Sequence, residues 1–379
     1  MPNRVLSCVP EPAKVESARL EKNNFDLLRL LFALIVCLVH AYELSGFQQL
    51  KWLAATFSSS VAVKAFFVVS GFLIFMSFER SPSLFSYARK RFRRIYPAYC
   101  TVVIGGAFGL LAVSSASSSD YFSLAWGKYI LANLAFMNFL QPTLPGVFDG
   151  NKLSAVNGAL WTLKIEVMFY LSVPLFAMLF RRYSRLAVLL LVYGLSVGYA
   201  SLAMLLAART GSGIYVEIGR QLPGQLAYFM AGAFLYYFLP LFERHRVYFL
   251  LPAASVLVIN AVYPLPLLEP FALAVVVVFF GIFFYLGNFG RYGDFSYGFY
   301  ILHFPVIQLF LHFGWLRETP WLYLLAVIFT TLIGAIGLWH AIEKRFLFRS
   351  SHYIAAIPVG TAEKLKALKR HQVTPLARL

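Results

Sequence analysis

Apolar residues in this chain come in long runs, separated by short segments where the charged residues gather. A membrane-crossing helix needs roughly 20 mostly apolar residues. Ten runs approach that length: 24–46, 58–79, 96–114, 160–180, 186–207, 221–240, 247–262, 271–288, 295–316 and 321–342. An eleventh apolar stretch, KYILANLAFMNFL at 128–140, is short for a span and has the length of a re-entrant or interfacial piece. The pattern predicts an all-α fold, a polytopic membrane helix bundle of about ten transmembrane helices.

Charge orients the bundle, because cytoplasmic connections carry an excess of Lys and Arg. Let the N-terminus, with Arg4, Lys14, Arg19 and Lys22, lie in the cytoplasm. Segments 80–95, 181–185, 243–246 and 289–294 and the C-terminal tail then fall inside and hold most of the basic residues. Segments 47–57, 115–159, 208–220, 263–270 and 317–320 fall outside and hold few. If 128–140 crossed as well, Arg181, Arg182 and Arg185 would move outside and the bias would weaken. Both termini are therefore expected in the cytoplasm. Eleven spans with an external C-terminus is the competing arrangement, and tag accessibility at the C-terminus separates the two.

Composition supports a membrane protein and removes other classes. The 379 residues are 60% hydrophobic and 13% charged, whereas a soluble domain carries about 25% charged residues. The 38 Phe and 22 Tyr suit lipid-facing and interfacial positions. A net charge of +17 would elsewhere suggest nucleic acid. Here the basic residues sit in the connections, so they read as topology signals and no nucleic-acid partner is expected. Cys8, Cys37 and Cys100 match neither a zinc spacing nor a disulfide framework, and no metal site is expected. Residues 1–22 lack the apolar core of a cleavable signal peptide. In the tail, AEKLKALKR is a weak basic amphipathic stretch suited to an anionic lipid surface.

Five groups of residues could carry chemistry. In the first run, Arg29 and His40 are eleven residues apart. At about 100° per residue they return to within roughly 20° of each other on the helix surface, roughly 16 Å apart along the axis. Ionisable groups in a span are costly and usually face a polar cavity; a snorkelling Arg29 and a hydrogen-bonded structural His40 are the plainer alternative. Second, Arg80, Arg89, Lys90, Arg91, Arg93 and Arg94 crowd the segment RSPSLFSYARKRFRRIYPAY. Such a segment is either a topology anchor or a phosphate-binding surface, with Lys90, Arg91 and Arg94 the best placed. Third, Glu166 lies about six residues into LWTLKIEVMFYLSVPL, after Trp161, at a depth similar to that of His40. There it could orient the imidazole, or with Lys164 it could simply mark the interface. Fourth, Tyr297, Tyr300 and His303 share a helix face in SYGFYILHFPV, as a polar site or as a packed aromatic stripe. Fifth, Ser70 and Gly71 in FFVVSGFLIF permit close helix packing or close approach of a ligand. Walker A, GxGxxG and HExxH patterns are absent from the sequence, and no GxSxG elbow appears, since GLSVG at 194–198 lies inside the apolar run 186–207.

Taken in order, these elements resemble the acyltransferase-3 family of bacterial integral-membrane acyltransferases, over about residues 24–345. FDLLRLLFALIVCLVHA is similar to the family's first-helix Arg-x10-His signature, which Arg29 and His40 match. FFVVSGFLI, RKRFRRIYPAY, LWTLKIEVMFYLSVPL and SYGFYILHFPV resemble its following elements. The resemblance implies three segments: 1–23, a cytoplasmic N-terminal segment; 24–345, the transmembrane acyltransferase domain; and 346–379, a cytoplasmic basic tail. It implies transfer of an acyl group, acetyl in the usual case, from a cytosolic acyl-CoA to a hydroxyl of an envelope or exported glycan, at a bacterial inner membrane. Acetyl-CoA is then a donor substrate, with no tightly bound cofactor. Membrane lipids and a glycan or glycolipid acceptor are the expected partners. On this reading His40, Glu166 and Arg29 are catalytic, and Lys90, Arg91 and Arg94 bind the donor. Ser70, Gly71, Trp161, Tyr297, Tyr300 and His303 form a substrate or structural site. Many members carry a further periplasmic hydrolase-like domain. The stand-alone form expected here either completes the transfer or hands the acyl group to a separate periplasmic transferase. A glycan exporter with a His40–Glu166 proton relay, and an acyltransferase acting on a small molecule at the cytosolic face, are the rival readings.

Overall fold

The computed structural model describes Leu20 and residues 23–348. The basic stretch in the tail, Cys8 and the bulk of the two terminal segments lie outside them. Among the described residues the chain is helical and has no strand. Eleven longer helices organise it. They are α1 (Phe25–Ser45), α2 (Ser59–Glu79), α3 (Leu84–Gly109), α4 (Leu124–Leu134), α5 (Trp161–Arg182) and α6 (Arg185–Thr210). There follow α7 (Leu222–Tyr237), α8 (Arg246–Asn260), α9 (Glu269–Ile282), α10 (Ser296–His312) and α11 (Pro320–Leu338).

Local chemistry sets many of the boundaries. The hydroxyls of Ser58, Ser83 and Ser184 accept from backbone N–H groups in the first turns of α2, α3 and α6, which otherwise lack partners. Gly46 ends α1 in the left-handed region at φ 69°, where its N–H donates to the Tyr42 carbonyl. Pro320 opens α11, where a missing N–H costs nothing.

Among the described residues, six helices are long and apolar enough to cross a bilayer: α1, α2, α3, α5, α6 and α11, some with short helical extensions. The protein is a multi-pass membrane protein, and large apolar side chains such as Leu190, Leu191 and Leu195 cover the outside of α6. Four runs expected as spans form helices of only 14 to 17 residues, α7, α8, α9 and α10. The run at 271–288 stops being helical at Ile282. The stretch at 128–140 begins inside an eleven-residue helix, α4, which ends at Leu134 and is followed by a turn and a single 3-10 turn at Asn138–Leu140. One expectation fails more sharply. The charge pattern makes the basic segment at 80–95 a loop, but α3 begins at Leu84, so Lys90, Arg91 and Arg94 stand on its first turns. Arg and Lys are good helix formers, and the Ser83 cap starts the helix well before the apolar run.

The core is built where α1, α2, α7 and α10 meet. Gly71 on α2 and Gly232 on α7 let these helices touch backbone to backbone. A Cβ on Gly71 would overlap the Phe229 carbonyl oxygen, and one on Gly232 would overlap that of Val68. Prolines inside helices leave carbonyls without their N–H partner four residues earlier. Two of these are satisfied from afar: Tyr87 donates to the Tyr170 carbonyl opposite Pro174, at 3.0 Å, and Asn157 to the Ile301 carbonyl opposite Pro305, at 2.8 Å. Asn24 anchors the start of α1, its side chain donating to the Phe280 and Phe284 carbonyls at the end of α9.

Candidate active site

Arg29 and His40 both project from α1 into polar space, but into different cavities. The narrower cavity, about 110 Å³, is lined by Arg29 of α1, Ser70 of α2, Arg91 and Arg94 of α3 and Glu166 and Tyr170 of α5, with Tyr297 and Tyr300 closing it from α10. The wider, about 870 Å³, is lined by His40, Trp161 and Tyr228 among others, a size that suits a small ligand. Val63 and Tyr300 line both, so the two cavities abut.

At the Arg29 end the charges are paired. Asp294, buried just ahead of α10, takes Arg29 at 2.6 Å and also Arg94. Arg94 reaches Glu343 at 3.5 Å, beyond the end of α11. Burial pushes the Asp294 carboxyl up, but the two guanidiniums outweigh it and hold the group below the ordinary carboxylate range. The Ser296 N–H and hydroxyl add hydrogen bonds to its other oxygen. Arg91 is held differently. Its Nη2 donates to Ser77 Oγ at 2.8 Å, its guanidinium lies 5.6 Å from the centre of the Tyr170 ring, and its Nε–H is buried with no hydrogen-bond partner. Lys90 turns away to Ser81 at 3.2 Å and is not among the residues lining the cavity. Of the three cations singled out for a phosphate, Arg91 and Arg94 therefore face the cavity together with Arg29.

Glu166 is not where the sequence suggests. Its carboxylate accepts from Ser70 Oγ at 2.8 and 3.0 Å and from Tyr170 Oη at 2.9 Å, one turn along α5. No hydrogen bond joins it to His40. The reason is the helix register: Ser70 on α2 and Tyr170 at i+4 supply hydroxyls to the face Glu166 occupies, in the narrow cavity. The partner of His40 is another imidazole, with His40 Nδ1 3.0 Å from His303 Nε2. The rings lie near parallel, at 18°. Tyr300 bonds Thr162 through its hydroxyl at 2.8 Å, and Tyr297 donates to the Ile95 carbonyl at 3.0 Å, which fixes the wall between the cavities.

Sequence reasoning missed four contributors. Tyr170 was open to discovery, since i+4 from Glu166 is the same helix face. Asp294, immediately before the run predicted to begin at 295, carried a weak capping signal. Glu343 and Asn157 gave no local sign. No group of His, Cys, Asp and Glu able to hold a metal exists among the described residues.

A bundle of apolar helices with two abutting polar cavities defines a membrane enzyme or carrier; sequence comparison decides between them. The acyltransferase-3 family, described as an acyltransferase domain, matches residues 22–340. The chain belongs to that family, and is an enzyme that transfers an acyl group. It is 28% identical over 340 residues to an O-acetyl transferase of Shigella phage Sf6, covering 87% of this chain and 98% of that one. It is 26% identical over 352 residues to nodulation protein 10 of Rhizobium leguminosarum bv. viciae, covering 85% and 92%. A shorter match, 28% over 124 residues and about a third of each chain, is to acyltransferase MdmB of Streptomyces mycarofaciens. No solved structure matches the chain.

Proposed function

We propose that the protein is a membrane O-acyltransferase that moves an acyl group, acetyl in the first instance, from a cytosolic acyl-CoA to a hydroxyl of an envelope or exported glycan. The observation that carries this reading is the division of one helix between two abutting cavities. Arg29 serves a narrow, arginine-lined one, and His40 a wide one with aromatic walls. Arginine pairs with phosphate oxygens and suits the CoA end of a donor. The partnerless Nε–H of Arg91 is what a missing anionic acceptor would leave. Trp161 and Tyr228 offer flat apolar faces of the kind on which a sugar ring packs. Lys64, paired with Glu269 at 2.7 Å, and Gln225 add polar contacts in the same cavity.

In this scheme the thioester carbonyl reaches the junction near Tyr300. His40 takes the proton of the acceptor hydroxyl as its oxygen attacks the carbonyl carbon. The C–O bond forms, the C–S bond breaks, and the thiolate leaves with the proton from His40. Glu166, held by Ser70 and Tyr170, shapes the donor cavity and does not orient His40. The setting is a bacterial inner membrane, with the arginine-lined cavity opening toward the cytoplasm and ten helices crossing or entering the bilayer.

The test is label transfer by the purified protein in liposomes supplied with radiolabelled acetyl-CoA, comparing wild type with His40→Ala. Transfer or slow donor hydrolysis that vanishes in the variant is expected. Equal turnover in both would move the chemistry away from His40.

A further inference from the structure

A neutral imidazole carries one hydrogen and one lone pair, on different nitrogens, and only the bare nitrogen can take a proton or attack a carbonyl carbon. Around His40 a short chain of hydrogen bonds decides which nitrogen that is. His303 Nδ1 lies 2.6 Å from the backbone carbonyl oxygen of Tyr300. That oxygen only accepts, so His303 Nδ1 carries the hydrogen and, in the neutral ring, His303 Nε2 is bare. His303 Nε2 in turn faces His40 Nδ1 at 3.0 Å. A bare nitrogen only accepts, so His40 Nδ1 donates. His40 Nε2 is left as the bare nitrogen. The His40 ring makes no other hydrogen bond among the described residues and lines the wide cavity, so its lone pair is offered there.

We propose that His303 is a positioning residue that fixes His40 in its Nδ1–H form, presents His40 Nε2 to the acceptor cavity, and accepts from the imidazolium formed during transfer. The proposal rests on the reading of His40 as the reacting group, and it serves equally whether His40 acts as base or carries the acyl group. His303 is fully buried on α10, in the bundle core, while His40 is half-buried at the cavity wall. The His303 ring has little freedom: Tyr300 and Phe304 pack around the pair. The helix that carries it is held through the Pro305 interruption by the Asn157 hydrogen bond.

A carboxylate is the usual partner for a catalytic histidine, but here it would be an additional buried charge in apolar surroundings, where an unpaired ion is costly. A neutral imidazole supplies the same directional acceptor with no net charge. During the step, the acceptor hydroxyl proton moves to His40 Nε2 and then to the leaving thiolate. The Nδ1 hydrogen stays on His40, and His303 keeps its own hydrogen on the Tyr300 carbonyl.

The experiment uses full-length protein labelled with 15N-histidine in lipid nanodiscs, with the His40 resonances assigned by their loss in His40→Ala. Acetyl transfer in liposomes is measured on His303→Gln and His303→Leu alongside. The amide oxygen introduced by His303→Gln can accept the hydrogen that His303 Nε2 accepts; a leucine side chain cannot. In wild type, His40 is expected to show a pyrrole-type Nδ1 and a pyridine-type Nε2. His303→Leu should lower kcat about 100-fold, a loss typical of a disrupted general base, with KM for acetyl-CoA within about twofold. Its His40 signals should shift toward the opposite tautomer. His303→Gln should recover to within about tenfold of wild type. A wild-type His40 protonated on Nε2 would overturn the inference by itself, even if His303→Leu failed to fold. Equal impairment of both variants with the His40 tautomer unchanged would reduce His303 to packing. Full transfer by His40→Ala would remove the catalytic part of the inference, and the wild-type spectrum would still report the tautomer independently.

Discussion

One helix, α1, meets two opposite electrostatic problems at its two ends. Around Arg29 there are several full charges, and most are paired: Asp294 sits between Arg29 and Arg94, Glu343 takes the other side of Arg94, and Arg91 is held by Ser77 and the Tyr170 ring instead. His40 itself takes no ion as partner among the described residues: it bonds to a second ring, which a backbone carbonyl holds in turn, and the Lys64–Glu269 pair lines the same cavity without a hydrogen bond to it. The difference follows the chemistry proposed for each end. A site for an anionic donor needs cations that are present before the ligand and held in place without it, and carboxylates do that at the cost of occupying some of them. A site for proton transfer needs a group whose charge appears only during the step, so it is built from neutral parts and stays polarised by direction alone.

Substitutions at the two ends should therefore fail in different ways. His40→Ala should lower kcat for acetyl transfer about 1000-fold, the loss expected for a general base. The KM for acetyl-CoA and the unfolding temperature should stay near wild type, as read by label transfer and thermal unfolding in detergent. Asp294→Asn should do the reverse. It removes the shared counter-charge of two half-buried guanidiniums, a change that costs about 3–5 kcal/mol when a buried pair is broken, so the unfolding midpoint should fall first. A stable Asp294→Asn protein would mean that solvent or lipid headgroups already compensate Arg29 and Arg94.

Smaller effects sharpen the division within the arginine cluster. Arg91→Gln should raise the KM for acetyl-CoA about tenfold, in line with about 1.5 kcal/mol for one charge-assisted hydrogen bond, with kcat little changed. Lys90→Gln, which removes a side chain turned toward Ser81, should leave the donor KM within about twofold of wild type. If the two variants weakened the donor equally, the basic segment would be acting as a diffuse positive surface and not through the cavity. Gly71→Ala tests the scaffold alone. A methyl group there meets the Phe229 carbonyl, and overpacking of this kind costs about 1–3 kcal/mol. Stability should drop while the donor KM of the surviving protein holds.

How far the site is legible in the sequence depends on the range of each contact. Arg29 and His40 share one stripe of one helix, and an eleven-residue spacing reveals that without any tertiary information. Tyr170 beside Glu166 is readable on the same ground. The pairing of His40 with Glu166 rests on depth alone, and it fails because equal depth does not say which faces of two helices meet. The α2–α5 contact turns Glu166 toward Ser70, and the α1–α10 contact turns His303 toward His40. The basic segment fails for a local reason. Its charge hides its helix propensity, so a run that carries no apolar signal reads as a loop.

Alone, the amino-acid sequence determined what depends on neighbours within a few turns: apolar runs, serine caps, the glycine that ends α1, the concentration of cations on one segment, and the order of motifs that places the chain among acyltransferases. Only the tertiary structure decided the partners: His303 for His40, Asp294 for Arg29 and Arg94, Ser70 for Glu166. Each pair joins residues 96 to 265 positions apart. Helix periodicity specifies which face a side chain occupies, but the neighbour across that face is set by how the whole bundle packs, and close backbone contacts such as Gly71 on Phe229 and Gly232 on Val68 help to fix that packing.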